Sequence, residues 1–466
     1  MDLNSNASFE PLIVELDAKP LGVSGVRIRD YNGLAVARAL HDVLAVSATS
    51  ESISGGILES WECSKLGTEH LLRVQRCLRW SDGSLLSAND VARGITKAIS
   101  HSVESNRIIS AAFWWKGRGT SVEVVDDHII KVSTPRPQRL LGHLLTLPQL
   151  SPISDRENCW SGPFTPHRPD GLTLTINRYS RKWCDSAPTG IEFVINQKKN
   201  IGGEQDQAID LTANTAHSSS DWERLRLQDN AVASETAILG VLIPGPRLAG
   251  ASRVESRRAI SLCIDRNKLA RDLKEVVNPS WRPSSIFDDT ADAEIPEADW
   301  SSARRIWNQL EDSELDIMFA SFSPNIEVVT ALAEQISESI HQRIRLRQLD
   351  WEEYLVEISN RSFDLAYALM PAQFLHPSSI LSAFRNDVFN ISNSSDSIFG
   401  ELCNAMDASG TMSDTRAAED YWLEQLPLIP ICRTRSLYIH SSRVSRPIPD
   451  RHGLVSYDTL KMNSMS

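Results

Sequence analysis

The stretch from residue 315 to 369 constrains this chain more than any other. Leu315–Ala320 is an apolar run of strand length, and Val329, Leu332, Ala333, Ile336 and Ile340 follow as a stripe at helical spacing. Residues 343–349 alternate as a strand, 351–359 fit a short helix, and 363–369 form a third strand. Strand, helix, strand, helix, strand in this order predicts an α/β unit with a parallel sheet and right-handed crossovers. Ligands of such sheets sit beyond the carboxyl ends of the strands. The segment after the third strand, residues 370–377, is therefore the expected cleft lining.

That unit is a minor part of 466 residues. Single cores stop growing near roughly 250–300 residues, so two or more lobes are expected. Residues 35–44 carry Val36, Leu40, Val43 and Leu44 at helical spacing, and 71–74 read as a short strand. Asp82-Gly83 marks a turn, and Ser87-Ala-Asn-Asp90 has the form of a capping box before Val91, Ile95 and Ile99. Residues 122–132 alternate on both sides of Asp126-Asp127, a hairpin signal. Strands are expected at 172–177 and 191–196, a loop within 202–221, and one helix over 256–277.

The chemistry is bounded mostly by what is missing. The net charge of −12, from 48 basic and 60 acidic residues, argues against non-specific nucleic-acid binding, which needs a basic footprint. No apolar run approaches the roughly 18–20 residues of a membrane helix. The longest candidate, residues 237–243, ends at Pro244-Gly245-Pro246 and reads as a buried strand. The start, Met1-Asp2-Leu3-Asn4, is acidic and polar, unlike a secretory leader. This leaves a cytoplasmic protein or a sequence whose leader has been removed. Seven scattered cysteines with no C-x-x-C spacing argue against a zinc ribbon or disulfide scaffold. Most are expected as buried thiols, with a Cys159–Cys184 bridge left open. No G-x-S-x-G, H-E-x-x-H or phosphate-loop motif occurs, and Asp126-Asp127-His128 reads as a solvated turn rather than a metal site. No catalytic residue, metal or cofactor is therefore assigned.

Several segments in order carry a resemblance. Ile57-Leu-Glu-Ser-Trp61, the run Val74-Gln-Arg-Cys-Leu-Arg-Trp80-Ser-Asp-Gly83-Ser-Leu-Leu-Ser87-Ala-Asn-Asp90-Val91, and Val125-Asp-Asp-His-Ile-Ile-Lys-Val132 are the first. Ser161-Gly-Pro-Phe164, Asn177-Arg-Tyr179 and Arg257-Arg-Ala-Ile-Ser-Leu-Cys-Ile264-Asp-Arg266 follow, then Asp350-Trp351, Phe363-Asp-Leu365 and Leu426-Pro427. Together they resemble the solute-binding proteins of family 5, the oligopeptide, dipeptide and nickel class of ABC importers, over residues 11–449. Gln75, Cys77 and Ser161 depart from that pattern and mark a divergent member. Most landmarks are expected to build the scaffold rather than touch ligand.

The resemblance implies a periplasmic-binding-protein-like type II fold with two lobes, a hinge and an inserted third subdomain. Carried over, lobe I comprises 1–26, 151–240 and 433–466, the insertion 27–150, and lobe II 241–432. The implied ligand-binding residues are Tyr367, Met370, Gln373, Phe374 and His376 after the third strand, with Trp114 and Ser24 from elsewhere. Gln373 falls where peptide binders carry an aspartate for the ligand's α-ammonium. A neutral amide cannot neutralise that charge, so a free-amine peptide is disfavoured. His376 has two readings, a cleft contact to ligand or metal and a solvated imidazole; Trp114 likewise stacks on ligand or packs between lobes. The implied function is that of a monomeric, non-enzymatic importer receptor. It captures a small solute, peptide or peptide-like, by hinge closure and delivers it to a permease, its only link to a membrane. That role implies a periplasmic or extracytoplasmic location. A cytoplasmic sensor or a biosynthetic protein on the same fold is the alternative.

Overall fold

The computed structural model describes residues 11–463 apart from 24, 29, 48–51, 106, 116, 169, 183, 185, 196–208, 216, 250–252, 275, 288–294, 310–313 and 386–396. The N-terminal strand Leu12–Leu16 runs parallel to Gly190–Ile195, and Thr173–Ile176 and Phe164–Pro166 extend this four-stranded sheet antiparallel. Helix Tyr31–Leu40 covers it through Ala35, Val36, Ala39 and Leu40, and Leu454, Val455 and Tyr457 of the C-terminal return complete the core. Helix Tyr31–Leu40 shares its core with the N-terminal sheet, and the neighbouring core begins at Leu44.

The insertion has a second four-stranded sheet, antiparallel throughout, in the order Leu58–Cys63, Glu69–Val74, Ile129–Ser133, Ser121–Asp126. Helix Ala88–Ser105 lies on it with Val91, Ile95, Ala98 and Ile99 buried. The Asp90 half of the predicted capping box forms, while Asp90 N donates to Ser87 O rather than to its hydroxyl. The Asp90 carboxylate accepts from Ser87 N at 2.9 Å, Ser87 Oγ at 3.1 Å and Trp80 Nε1 at 3.3 Å, and pairs with Arg93 at 3.0 Å. One side chain thus ties the tryptophan turn to the helix, which makes that landmark architectural.

The third sheet has six strands, ordered Val277–Pro279, Ile429–Ile439, Ala231–Pro244, Leu365–Pro371, Leu315–Ala320, Ile344–Leu349. The predicted strand–helix–strand–helix–strand unit forms its parallel edge, with Leu315–Ala320 between the other two. Helices Val254–Leu262, Arg266–Asp272 and Asn325–Ile340 share a core on one face. Trp351–Asn360, Ser397–Ser409 and Met412–Gln425 share the other. The single helix expected over 256–277 is two, because Asp265 accepts Lys268 N at 2.7 Å and caps a new start. Only Cys263, Cys403 and Cys432 are buried, and none of the seven cysteines is disulfide-bonded, so neither the mostly buried set nor a Cys159–Cys184 bridge occurs.

Two strands join the cores. In Ala231–Pro244 and Ile429–Ile439, Val232 and Tyr438 belong to the N-terminal core, while Leu239, Val241 and Ile431 belong to the six-stranded one. Their pairing shifts register between Glu235 and Leu239. There Glu235 is held by Arg433 and Arg435, each at 2.9 Å. Among the described residues no helix is long and apolar enough to cross a membrane.

Candidate ligand cleft

The carboxyl ends of Leu315–Ala320 and Leu365–Pro371 open into a cleft of about 450 Å³. That volume is in the range of sites that enclose small molecules, roughly 300–1,000 Å³. One wall is aromatic and follows from local sequence. Phe322 stands just past the end of its strand. Asp350, at the end of the next, accepts Glu353 N at 2.8 Å and starts a helix with Trp351 at its first turn. Three residues on, Tyr354 lies on the same helix face. Trp351 and Tyr354 stack at 5.8 Å between ring centroids, and Phe322 meets Trp351 edge-on at 6.1 Å. The Tyr354 hydroxyl donates to Tyr367 O at 3.0 Å, fixing the ring to the strand. Burial pushes that phenol well above its ordinary pKa, so it stays a neutral donor. Ile238, Leu355, Ala368 and Leu369 add apolar surface.

The facing wall comes from the N-terminal sheet: residues 17–21 after the first strand and 30–32 at the start of the first helix. Its acids are engaged internally. Asp17 accepts from Thr215 Oγ1 at 2.6 Å. Asp30 caps its helix through Gly33 N at 2.7 Å and holds Leu21 N at 2.6 Å. Burial raises the Asp30 pKa against those amides, which favour the carboxylate. The Tyr31 hydroxyl donates to His452 O and accepts from Asn214 Nδ2, both at 2.9 Å. Lys19 is exposed on the rim and has no ion-pair partner among the described residues. The cleft thus joins a broad apolar wall to one that carries the Lys19 ammonium beside the hydrogen-bonded carboxylates of Asp17 and Asp30. Among the described residues it has no nucleophile–base pair and no cluster able to hold a metal.

The sequence-predicted residues scatter. Tyr367 borders the cleft, but its ring is buried, with the hydroxyl 3.5 Å from Cys432 Sγ. Met370 is half-buried beside the core and outside the cleft lining. Gln373 also lies outside it, its backbone amide donating to Ser379 Oγ at 2.7 Å. Phe374 is a core residue of the insertion rather than a ligand contact. His376 is buried too, its ring 4.7 Å from that of His143, and its Nδ1 accepts from Ser378 N at 3.2 Å. Neither the cleft-contact nor the solvated reading fits it, because the loop after Pro371 turns into the insertion. Trp114 packs within the insertion rather than between lobes: its Nε1 donates to Ile99 O at 3.1 Å. Ser24 lies outside the described residues. The residues sequence reasoning missed are Lys19, Phe322 and Trp351. The strand-end rule names two of them once it is applied to all three parallel strands rather than to the last.

The model for "Bacterial extracellular solute-binding proteins, family 5 Middle" matches residues 52–390. A probable deoxycholate-binding periplasmic protein of Escherichia coli is 21% identical over 438 residues, which is 80% of this chain and 78% of that protein. The murein tripeptide-binding protein MppA of E. coli superposes with a TM-score of 0.81 at 16% identity, over 98% of this chain and 99% of that one. AgaA of Agrobacterium tumefaciens in complex with agropinic acid also gives 0.81, at 15% identity and the same coverage. These relatives are binding proteins, and the curated one is periplasmic. With the family model spanning well over half of its length and the two-lobed fold with an insertion matched almost end to end, this chain belongs to the bacterial extracellular solute-binding proteins of family 5.

Proposed function

We propose that this protein is the non-enzymatic receptor of an ABC-type importer and acts outside the cytoplasm as a monomer. It captures an amphipathic anionic solute between lobe I and lobe II. The observation that carries the ligand class is the aromatic wall of Phe322, Trp351 and Tyr354 lining one cleft with Lys19. Phe322 is 36% exposed with no solute in the cleft, so a ligand gains by covering it. The deoxycholate-binding relative supports the same class. The paired strands Ala231–Pro244 and Ile429–Ile439 serve as the hinge, flexing where their register shifts near Glu235. On this reading the lobe boundary falls near residue 236 and the insertion occupies 44–150.

Native mass spectrometry of purified protein identifies a retained solute. Thermal shift with deoxycholate, murein tripeptide and agropinic acid then ranks the classes. The wild type is expected to be stabilised most by the amphipathic anion. Trp351→Ala should weaken that binding by about 30-fold, ~2 kcal/mol, with little change in the unliganded melting temperature. Stabilisation by the free-amine peptide alone would overturn the ligand class. Equal losses with and without ligand would make Trp351 structural.

A further inference from the structure

We infer that a second cavity, between the insertion and the N-terminal sheet, is a binding site for a compact multivalent oxyanion bearing carboxylate or phosphate groups. This cavity has a volume of about 650 Å³ and is lined by Arg27, Lys97, His101, Arg156, His41 and Trp160, among others. In a chain of net charge −12, its ionisable lining side chains among the described residues are all nitrogen bases or the thiol of Cys159, and no described carboxylate lines it. Lys97 and His101 stand four apart on helix Ala88–Ser105 and so project from one face. The turn Gly25–Arg27 packs against the same helix and brings Arg27 to that face.

Two of these charges have no local counter-ion among the described residues. Arg156 pairs with Asp82 at 3.2 Å, but Arg27 and Lys97 have no ion-pair partner among the described residues. Two uncompensated cations at one concave surface match a dianion or trianion better than a monoanion. Beside them His41 and Trp160 pack at 5.3 Å, giving the cavity an aromatic edge. Burial lowers the His41 pKa to about 4, so His41 adds a neutral imidazole at pH 7 and no charge. The site is distinct from the ligand cleft, yet the two share a segment. Residues 17–21 and 30–32 line the cleft, and residues 25–27 between them line this cavity.

Isothermal titration of the full chain with citrate and with pyrophosphate, at constant ionic strength, tests the assignment. Saturable one-to-one binding of at least one probe is expected in the wild type. Which probe binds more tightly separates carboxylate from phosphate recognition. The double variant Arg27→Gln/Lys97→Gln changes only exposed positions and should keep its melting temperature, while affinity falls by about tenfold or more. Trp351→Ala, in the cleft, should leave anion binding unchanged. No saturation with either probe would overturn the assignment. So would wild-type affinity in the double variant, or loss of anion binding in Trp351→Ala, which would move the anion into the cleft.

Discussion

At the scale of single residues, the pair His143 and His376 shows how context reverses a reading. His376 sits among Pro371, Gln373 and Pro377, a sequence that looks like surface loop, yet it is 3% exposed against His143 and near Phe374. Burial lowers the His376 pKa to about 3 and that of His143 to about 4, against 6.5 for the free side chain. Both are therefore neutral in the folded chain. The unfolded chain takes up protons first as the pH falls, so stability is full above pH 6.5 and declines from there toward pH 4. The limiting slope is about 1.4 kcal/mol per pH unit for each histidine between its folded and unfolded pKa, and the window is shorter for His143 than for His376. His376→Asn keeps a side-chain acceptor for Ser378 N. It should flatten the fall in urea midpoint between pH 7 and pH 5. An unchanged slope would assign the acid sensitivity to other groups.

At the scale of elements, local signals were read correctly wherever the physics is local. The Ser87–Asp90 cap, the hairpin turn at Asp126-Asp127 and the strand Leu315–Ala320 each depend on neighbours within a few residues. The break of the 256–277 stretch was legible in principle, since Asp265 is a capping residue, but its apolar periodicity runs through the break. Helix Ala88–Ser105 shows where element rules stop. A helical Gly→Ala change normally gains about 1 kcal/mol in propensity. At Gly94, however, a Cβ would stand 2.2 Å from Ser151 O, a backbone atom of the crossing segment. Gly94→Ala should therefore destabilise, by about 1–3 kcal/mol in chemical denaturation. A gain in stability would show that the 148–151 turn gives way.

At the scale of the whole molecule, segments about 270 residues apart are locked by buried charge. Arg136 and Arg385 both reach Asp407, at 2.7 and 2.6 Å, and both donate to Asn404 Oδ1 at 2.8 Å. Two guanidinium groups share one carboxylate. Burial first, and the neighbouring Arg385 second, lower the Arg136 pKa to about 10. Asp407→Ala leaves both cations uncompensated and should cost about 3–5 kcal/mol in denaturant unfolding. Asp407→Ala combined with Arg136→Met and Arg385→Met should recover much of it. No recovery would mean that Asp407 acts through packing rather than charge. The sequence by itself determined the α/β class, the parallel strand–helix unit, the caps and turns, and the run of scaffold landmarks. All of these rest on interactions between residues close along the chain, or on periodicity along it. Only the tertiary structure decided which strand ends face the cleft, that Lys19 and Trp351 line the same cleft, and that Phe374 and His376 are buried away from it. Those outcomes depend on which segments, hundreds of residues apart, exclude water together, and spacing along one chain carries no information about that.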